Sequence, residues 1–375
     1  MTGPIRDDPF YMLAFRAARC VLEKTALNPG DLDFVILASY DALDGRMISN
    51  MYSGMSSGGF LKYESRVSDD GTLAVAYADA LIRSNMADLG LVVGYSSLEG
   101  DMTSISLLTM DPFIYRPLGL NYLAQLALHA SGYIGKLGID AEQWDLVASS
   151  IVSMNRAAGA RNPRAHLREP VDAGSAMSSD FIAWPLRESY VAPETRGAVA
   201  LLLASREAAR KHMLDETAEV AAIRWYTDSY YFGYNKLLYA IPPLARAARE
   251  AYRDAGIEDP RSISLYEVSD VTPAHYLMEL EALGLAPPGR AIKLVMRGDV
   301  GPDAGLIVNR SGGSVSTNPY PASGILKVYE AYLQLTGRAG PIQLDQAETA
   351  LVHGYSYISG VMGQTHSVVI LRGGA

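Results

Sequence analysis

The sequence predicts an α/β fold built from two similar halves. Two stretches about 250 residues apart, 71–96 and 324–356, repeat one pattern: a helix, a turn, a short apolar strand and the triplet Gly-Tyr-Ser. A helix and an apolar strand also precede each stretch, so the order helix, strand, helix, strand occurs twice. Repetition of a whole unit at one spacing indicates a duplicated architecture.

Hydrophobic periodicity supports each element of the repeat. In residues 10–24 the apolar side chains recur on one helical face, and residues 34–37 form a short apolar strand. Residues 243–255 repeat the helix, Gly256 ends it, and residues 263–268 repeat the strand. Short apolar strands that alternate with helices are typical of parallel sheets covered on both faces. We therefore expect two α/β halves related by a pseudo-twofold axis.

The repeat divides the chain into three parts. We expect residues 1–97 and 191–214 to form the N-terminal half, and residues 215–375 to form the C-terminal half. Residues 98–190 break the alternation of strands and helices, which favours a loop or cap insertion within the first half and beside it.

The two halves differ at their beginnings. Residues 218–226 form an apolar opening strand for the second half, whereas only Ile5 and Arg6 precede the first helix. That strand is therefore either lost or supplied by another chain.

Composition and charge exclude several classes of protein. The chain has 375 residues, which suffices for two halves with one continuous core. Its net charge of −9 argues against nucleic acid as a partner, because phosphate binding needs a basic face. No apolar run reaches the roughly 20 residues of a membrane span. The single cysteine, Cys20, excludes a disulfide framework and favours a cytoplasmic location.

The most specific local signature directly precedes the second repeated helix. Asn309-Arg310-Ser311-Gly312-Gly313 is followed by Asn318-Pro319-Tyr320-Pro321-Ala322-Ser323-Gly324. This segment resembles the thiolase superfamily, particularly its sterol-carrier-protein-type and archaeal thiolase-like branch. In that family Asn-x-x-Gly-Gly leads into a His-Pro-x-Gly-Ala-Ser-Gly turn at a helix start.

Other segments match the family in the same order along the chain. Residues 66–71 occupy the place of the nucleophile turn, and residues 162–165 resemble the Asn-Pro segment of the loop domain. Residues 266–270 match the strand-end motif, and residues 360–364 match the C-terminal Cys-Gly-Gln type of turn. The resemblance covers nearly the whole chain. It implies a thiolase-like fold with a layered α/β/α/β/α core.

The resemblance also implies that the catalytic set is substituted. A thiolase uses one cysteine thiolate as nucleophile, a histidine that activates it and a second cysteine as acid and base. The matching positions hold Ser68, Asn318 and Met362, and Ser269 stands where Asn or His helps to form the oxyanion hole. Neither Asn318 nor Met362 titrates near neutral pH. We therefore expect no ordinary Claisen or thiolytic cycle from this chain alone.

Ser68 has three interpretations. It precedes a helix N-terminus, where backbone N–H groups stabilise an anion, so it is a candidate acyl acceptor. We favour the simpler interpretations, in which Ser68 is the N-cap of that helix or the residue that remains after loss of the nucleophile.

Three tyrosines are candidate acid–base groups. Tyr320, Tyr355 and Tyr357 lie at turns that we expect to face the active site, as does the strand residue His353. Some cysteine-free thiolase-like proteins resemble retro-aldol lyases of CoA thioesters that use tyrosines in this way. A tyrosine serves as a base when its pKa is lowered from about 10.

Coenzyme A or an acyl-CoA is the ligand that the resemblance implies, without a covalently bound cofactor. Arginines of residues 156–164 either contact the CoA phosphates or form a solvated basic face. Glycines and a serine before the second repeated helix complete the candidate contacts. No pair of histidines has metal-ligand spacing. The candidate CoA-contacting residues are Arg156, Arg161, Arg164, Gly312, Gly313 and Ser323.

Three functions in acyl-CoA metabolism follow from these observations. The favoured hypothesis is that the chain is a non-canonical subunit of a heteromeric acyltransferase complex, paired with an active thiolase-like paralogue. A small OB-fold/zinc-ribbon protein often accompanies such systems. Alternatively, the chain is a retro-aldol lyase, or a non-catalytic scaffold that binds CoA thioesters. A homodimer is the alternative to the heterodimer, and we expect the partner contact near residues 63–67.

Overall fold

The computed structural model describes residues 8–214, 218–228, 237–357 and 365–374. The helices are α1 Phe10–Thr25, α2 Asn50–Ser56, α3 Gly71–Arg83, α4 Met102–Thr109, α5 Tyr122–Leu137, α6 Ala141–Arg161, α7 Ala173–Met177, α8 Arg206–Lys211, α9 Pro242–Ala255, α10 Pro273–Ala282, α11 Ala291–Met296 and α12 Ser323–Leu335. The strands are β1 Phe34–Ala38, β2 Tyr63–Val67, β3 Leu89–Ser96, β4 Phe181–Ala183, β5 Leu186–Arg187, β6 Gly197–Ala204, β7 Ala218–Thr227, β8 Leu265–Glu267, β9 Val300–Gly301, β10 Leu306–Ile307, β11 Thr349–Tyr355 and β12 Thr365–Gly373.

Two four-stranded sheets share one plan, which confirms the predicted duplication. Their strand orders are β2-β1-β3-β6 and β7-β12-β11-β8. In the first sheet β1 runs parallel to β3, and β3 runs antiparallel to β6. In the second sheet β8 runs parallel to β11, and β11 runs antiparallel to β12.

The sheets are mixed, so the expectation of parallel sheets is wrong for the last strand of each half. The connection between β11 and β12 spans only residues 356–364. A crossover between parallel strands needs a dozen or more residues. A connection as short as this one therefore reverses the direction of the chain.

The halves differ at one sheet edge. β7 pairs antiparallel with β12 from Thr227 opposite Thr365 to Ala218 opposite Gly373. The matching outer edge of β6 carries no strand among the described residues. The prediction that the first half lacks an opening strand rests on Ile5 and Arg6, which lie outside the described residues.

Helices α3 and α12 lie between the two sheets and join the halves. A Cβ atom added at Gly71 would lie 2.5 Å from the Ile325 side chain, so a larger residue has no room there. Apolar residues of both sheets share one buried cluster with these helices, including Val92, Ile325 and Val352. With α1 on the first sheet and α9 on the second, the layers are α/β/α/β/α, as the sequence predicts.

The insertion 98–190 packs mainly on the second half, which corrects the expected position beside the first. Its helices α5 and α6 contact α10, and α6 also contacts α11. Residues 273–280 of α10 are buried on every side. A helix that is buried all round needs a covering layer in addition to its sheet, and α5 and α6 provide that layer.

The described part of the chain contains no helix that could cross a membrane. None of its helices combines the length and the apolar character that crossing a bilayer requires.

Candidate functional site

The turn before α3 presents two aspartates and one serine. Asp70 is the N-cap of α3, because its carboxylate accepts hydrogen bonds from the Thr72 backbone N–H and hydroxyl at 3.1 and 2.7 Å. It also accepts the backbone N–H of Gly324 at 3.1 Å. Because the Asp70 carboxylate accepts the free N–H of the first turn of α3, the interpretation of Ser68 as the N-cap is wrong. Ser68 itself is exposed.

Asp69 lies where the two halves meet. Its carboxylate accepts hydrogen bonds from the Thr365 hydroxyl at 3.2 Å and from the Asp70 backbone N–H at 2.7 Å. The Ser356 hydroxyl also bonds to it. Burial raises the pKa of Asp69, and these hydrogen bonds offset part of the rise. No sequence pattern singles out Asp69, because its side-chain partners Ser356 and Thr365 lie almost 300 residues away.

Three tyrosines lie side by side against this turn. The ring centroids of Tyr320 and Tyr357 are 5.0 Å apart, and those of Tyr355 and Tyr357 are 5.7 Å apart. Tyr320 is 2% exposed and Tyr357 is 4% exposed. The Tyr320 hydroxyl lies 3.4 Å from the Ser356 hydroxyl, which places one serine between Tyr320 and Asp69.

Asn318 orients one of these phenols. The Ser323 hydroxyl donates to Asn318 Oδ1 at 2.8 Å, which directs the Asn318 amide N–H₂ towards Tyr357. Asn318 Nδ2 donates to the Tyr357 oxygen at 2.7 Å. Because a phenol has one proton and two lone pairs, this contact leaves the Tyr357 proton available to another acceptor.

The phenols of the cluster are held in their protonated form. Burial raises the pKa of Tyr320, Tyr355 and Tyr357, and the charge of Asp69 adds to the rise at Tyr320. A lowered tyrosine pKa, which base catalysis requires, is therefore the opposite of what the site provides. These tyrosines donate hydrogen bonds at neutral pH, and the base must be another group.

Ser269 and His353 form a separate contact behind the tyrosines. The Ser269 hydroxyl donates to the His353 carbonyl oxygen at 2.8 Å, so its proton is already used. Burial lowers the pKa of His353 to about 3, which keeps its imidazole neutral. Met362 lies outside the described residues, as does the whole segment 360–364.

The candidate CoA-binding arginines are bonded within the protein. Arg164 makes a bidentate pair with Glu330 at 2.6 and 2.8 Å, and both side chains are largely buried. Arg161 pairs with Asp303 at 2.6 Å, and Arg156 donates to the Glu169 carbonyl oxygen at 2.6 Å. Arg164 is therefore a structural link between the insertion and α12. Contact of Arg156 and Arg161 with CoA stays a prediction.

Gly312 and Gly313 lie at the base of the site, where no larger residue fits. Both have positive φ angles, of 104° and 67°. A Cβ atom at Gly312 would lie 2.5 Å from the backbone of Gly159, and one at Gly313 would lie 2.5 Å from the Asp270 carboxylate. Both glycines are buried against α6 and the end of β8, and their contact with CoA stays a prediction.

Comparisons with known proteins agree with this architecture. A family model described as thiolase C-terminal domain-like matches residues 229–373. Sterol carrier protein 2 of Oryctolagus cuniculus is 29% identical over 299 residues, which cover 76% of this chain and 54% of that protein. An acetyl-CoA acetyltransferase of Methanothermobacter thermautotrophicus is 26% identical over 360 residues, which cover 94% of this chain and 92% of that protein. The chain thus spans about half the length of the rabbit relative and nearly all of the archaeal one.

Solved structures show the same fold. The Ltp2-ChsH2(DUF35) aldolase superposes with a TM-score of 0.81 at 20% identity, over 98% of this chain and 93% of that chain. A monomeric SCP2-thiolase-like protein type 1 from Mycobacterium smegmatis superposes with a TM-score of 0.77 at 16% identity, over 100% of this chain and 76% of that chain. The family model and the sequence relatives support the resemblance of the chain to the sterol-carrier-protein-type and archaeal thiolase-like branch of the thiolase superfamily, and the solved structures show that it has the thiolase-like fold.

Proposed function

We propose that this protein is a lyase that cleaves a carbon–carbon bond of a coenzyme A thioester by a retro-aldol reaction. One observation carries the proposal: Asp69, a carboxylate with a raised pKa, lies beside phenols that burial keeps protonated. A base and hydrogen-bond donors in one buried site are what retro-aldol cleavage needs.

The reaction assigns a role to each group. The Asp69 carboxylate takes the proton of a β-hydroxyl group, the oxygen forms a carbonyl, and the bond between the α and β carbons breaks. The electrons of that bond pass into the enolate of the thioester. Tyr320 and Tyr357 donate hydrogen bonds to the enolate oxygen as its charge develops. The α carbon then takes a proton, so the products are a carbonyl compound and a shorter acyl-CoA.

Asp69 suits the role of base better than Ser68 suits that of nucleophile. A general base works best when its pKa is near the working pH, and burial moves the pKa of Asp69 in that direction. Ser68 is exposed, and the anionic Asp69 and Asp70 that follow it oppose formation of a serine alkoxide.

The relatives support the class of reaction and of ligand. One structural neighbour is described as an aldolase, and one sequence relative is named for acetyl-CoA. We therefore extend CoA-thioester binding and aldol chemistry to this chain as a proposal. We also propose that the chain divides into an N-terminal half (1–97 and 191–214), an insertion (98–190) and a C-terminal half (215–375). A cytoplasmic location is a further proposal.

A partnered form of the enzyme is the second candidate. The aldolase neighbour is described by two component names, Ltp2 and ChsH2(DUF35). β2 lies at the edge of its sheet, Tyr63 on it is 46% exposed, and Met51 and Met55 of the adjacent α2 are also exposed. This apolar edge supports a homodimer or a heterodimer with a thiolase-like paralogue. A small OB-fold/zinc-ribbon subunit would bind in addition.

The test is turnover of β-hydroxyacyl-CoA thioesters by the purified chain, alone and with candidate partner subunits. Mass spectrometry detects the shorter acyl-CoA and the carbonyl product. We expect Tyr320→Phe to lose most of this activity, whereas Tyr52→Phe, at an exposed tyrosine outside the site, retains it. Binding of the thioester without cleavage in every assembly would instead identify a non-catalytic scaffold.

A further inference from the structure

We propose that the outer edge of β6 is a docking site for an extended segment of a partner chain. That segment adds to the sheet as an antiparallel strand and carries acidic residues at its amino end. The site lies at the edge of the first sheet that is opposite to β2, and it does not depend on the proposed function.

The second half of the fold shows how such an edge is covered. There β7 pairs antiparallel with β12, and residues 365–371 of β12 are all buried. β6 has the same position in the first sheet, since it pairs antiparallel with β3 as β12 pairs with β11. No strand among the described residues covers its outer edge, and residues 201–204 are only half-buried. The first half thus has an open place where the second half has β7.

The sequence of β6 has none of the features that protect a free sheet edge. Proteins block such edges with charged residues, prolines or bulges. β6 is Gly-Ala-Val-Ala-Leu-Leu-Leu-Ala, without a charge or a proline, and its register with β3 is regular. β2, at the other edge of the same sheet, carries Glu64 and Arg66. This contrast indicates that β6 is built to be paired.

A groove runs along this edge between two layers of helices. Ala200 and Leu202 of β6 pack with α1 on one face, and Leu201 and Leu203 pack in the layer of α3 and α12 on the other. The groove has a volume of about 1590 Å³, whereas small-molecule sites have roughly 300–1,000 Å³. A strand of eight residues, the length of β6, extends about 26 Å. Because its side chains would point alternately to the two layers, the added strand needs apolar residues on both faces.

The charges around the groove favour an acidic partner. Six of the eight charged residues that line it are basic, although the net charge of the chain is −9. The two acids, Asp79 and Glu219, are already paired with arginines at 2.7 and 2.8 Å. Lys24 and Arg210 are exposed at the groove. An occupant with carboxylates therefore complements the groove.

The acidic residues belong at the amino end of the added strand. Arg206 and Arg210 lie in α8, which follows β6 after a single residue, so positive charge lies at the carboxyl end of β6. An antiparallel strand begins at that end. Its first residues therefore meet the two arginines.

The sequence of residues 1–7 does not have this pattern. It contains Gly3 and Pro4, two residue types that are depleted in strands. Its one acid, Asp7, is at the carboxyl end of the segment. We therefore assign the groove to a strand of a separate partner chain.

Binding of a synthetic strand to the full-length protein tests the site. The probe is the β7 sequence, residues 218–227, with Ala218→Glu, because β7 fills the equivalent place and the substitution gives two acids at the amino end. The control peptide has Ala218→Lys and Glu219→Lys instead. We expect the acidic probe to bind at least tenfold more tightly in fluorescence anisotropy. It should slow hydrogen–deuterium exchange of residues 197–204 but not of residues 63–67.

Substitutions in the groove distinguish it from other surfaces. Lys24→Glu combined with Arg210→Glu should weaken binding of the acidic probe at least tenfold. Arg297→Glu, at an exposed arginine outside the groove, should leave it within twofold. Failure of the acidic probe to bind, equal affinity for the two peptides, or protection of residues 63–67 instead would overturn the proposal.

Two other occupants would give different results. If residues 1–7 fill the groove, the probe binds only after their deletion. If a second copy of the chain fills it, native mass spectrometry shows a dimer that the probe dissociates. Either result would overturn the assignment to a partner chain. Neither bears on the retro-aldol assignment, which the cleavage assay tests separately.

Discussion

Thr365 donates a hydrogen bond from its hydroxyl to the Oδ2 atom of Asp69 at 3.2 Å, across 296 positions of sequence. Asp69 belongs to the turn before α3, and Thr365 opens β12 of the other half. The candidate site is thus assembled where the two halves of the duplicated fold meet. Side chains of the second half thus determine the environment of a proposed base that belongs to the first half.

The first prediction separates the proposed base from the residue at the nucleophile position. Asp69→Asn keeps a carbonyl oxygen for the Thr365 hydrogen bond but cannot take a proton. We expect kcat for thioester cleavage to fall by a factor on the order of 10² to 10⁴, the usual effect of losing a general base. Ser68→Ala should stay within about threefold of the wild type, because no step uses that hydroxyl. Steady-state kinetics of both variants distinguish base from nucleophile, and the reverse ranking would assign the chemistry to Ser68.

The second prediction concerns the orientation of Tyr357. Asn318→Ala removes the amide that donates to the Tyr357 oxygen, and Ser323→Ala removes the hydroxyl that orients that amide. We expect kcat to fall roughly tenfold for Asn318→Ala and less for Ser323→Ala, since a misdirected donor stabilises the developing enolate less well. Comparable thermal melting of both variants would show that the loss is local. A larger effect at Ser323 than at Asn318 would contradict this order of contacts.

The third prediction tests the buried ion pair of the insertion. Arg164→Ala leaves the Glu330 carboxylate buried without its partner, which costs about 3–5 kcal/mol in comparable cases. Arg161→Ala breaks an exposed pair worth about 0–1 kcal/mol, so it serves as the matched control. Urea denaturation monitored by circular dichroism gives both values. Equal destabilisation by the two substitutions would show that Arg164 does not link the insertion to α12.

The fourth prediction is a pH dependence of stability. The pKa of His353 is about 3 in the folded chain and about 6.5 when unfolded, so the unfolded chain binds the proton first as the pH falls. This histidine therefore lowers the free energy of unfolding by roughly 1.5 kcal/mol between pH 6.5 and pH 5. In His353→Gln that contribution is absent, so the difference between wild type and variant isolates it from the other titrating groups. A difference that stays constant across this pH range would exclude the buried neutral histidine.

Much of the fold was predictable because local patterns encode it. The helix expected at residues 243–255 is α9, Pro242–Ala255, and its end at Gly256 follows from the left-handed conformation that glycine adopts there. The antiparallel direction of β12 was not predictable from an apolar run, since the pattern of a buried strand is the same in either direction. The position of the insertion was missed because burial of α10 on all sides depends on tertiary contacts.

The site was predictable only in part, for the same reason. Tyr320, Tyr355 and Tyr357 stood out because they lie in recognisable turns. Asp69 did not, since an aspartate before a helix normally indicates capping, and Asp70 beside it has that role. The direction of the tyrosine pKa shift depends on burial and on the nearby carboxylates, which no sequence pattern reveals.

The most direct test of the retro-aldol assignment is cleavage of a β-hydroxyacyl-CoA in deuterium oxide without added coenzyme A. The account predicts a shorter acyl-CoA that carries one deuteron on its α carbon, because the enolate takes its proton from exchangeable groups of the site. Mass spectrometry measures this label directly. Cleavage that occurs only when free coenzyme A is added would indicate thiolysis and would contradict the account, as would a product without deuterium.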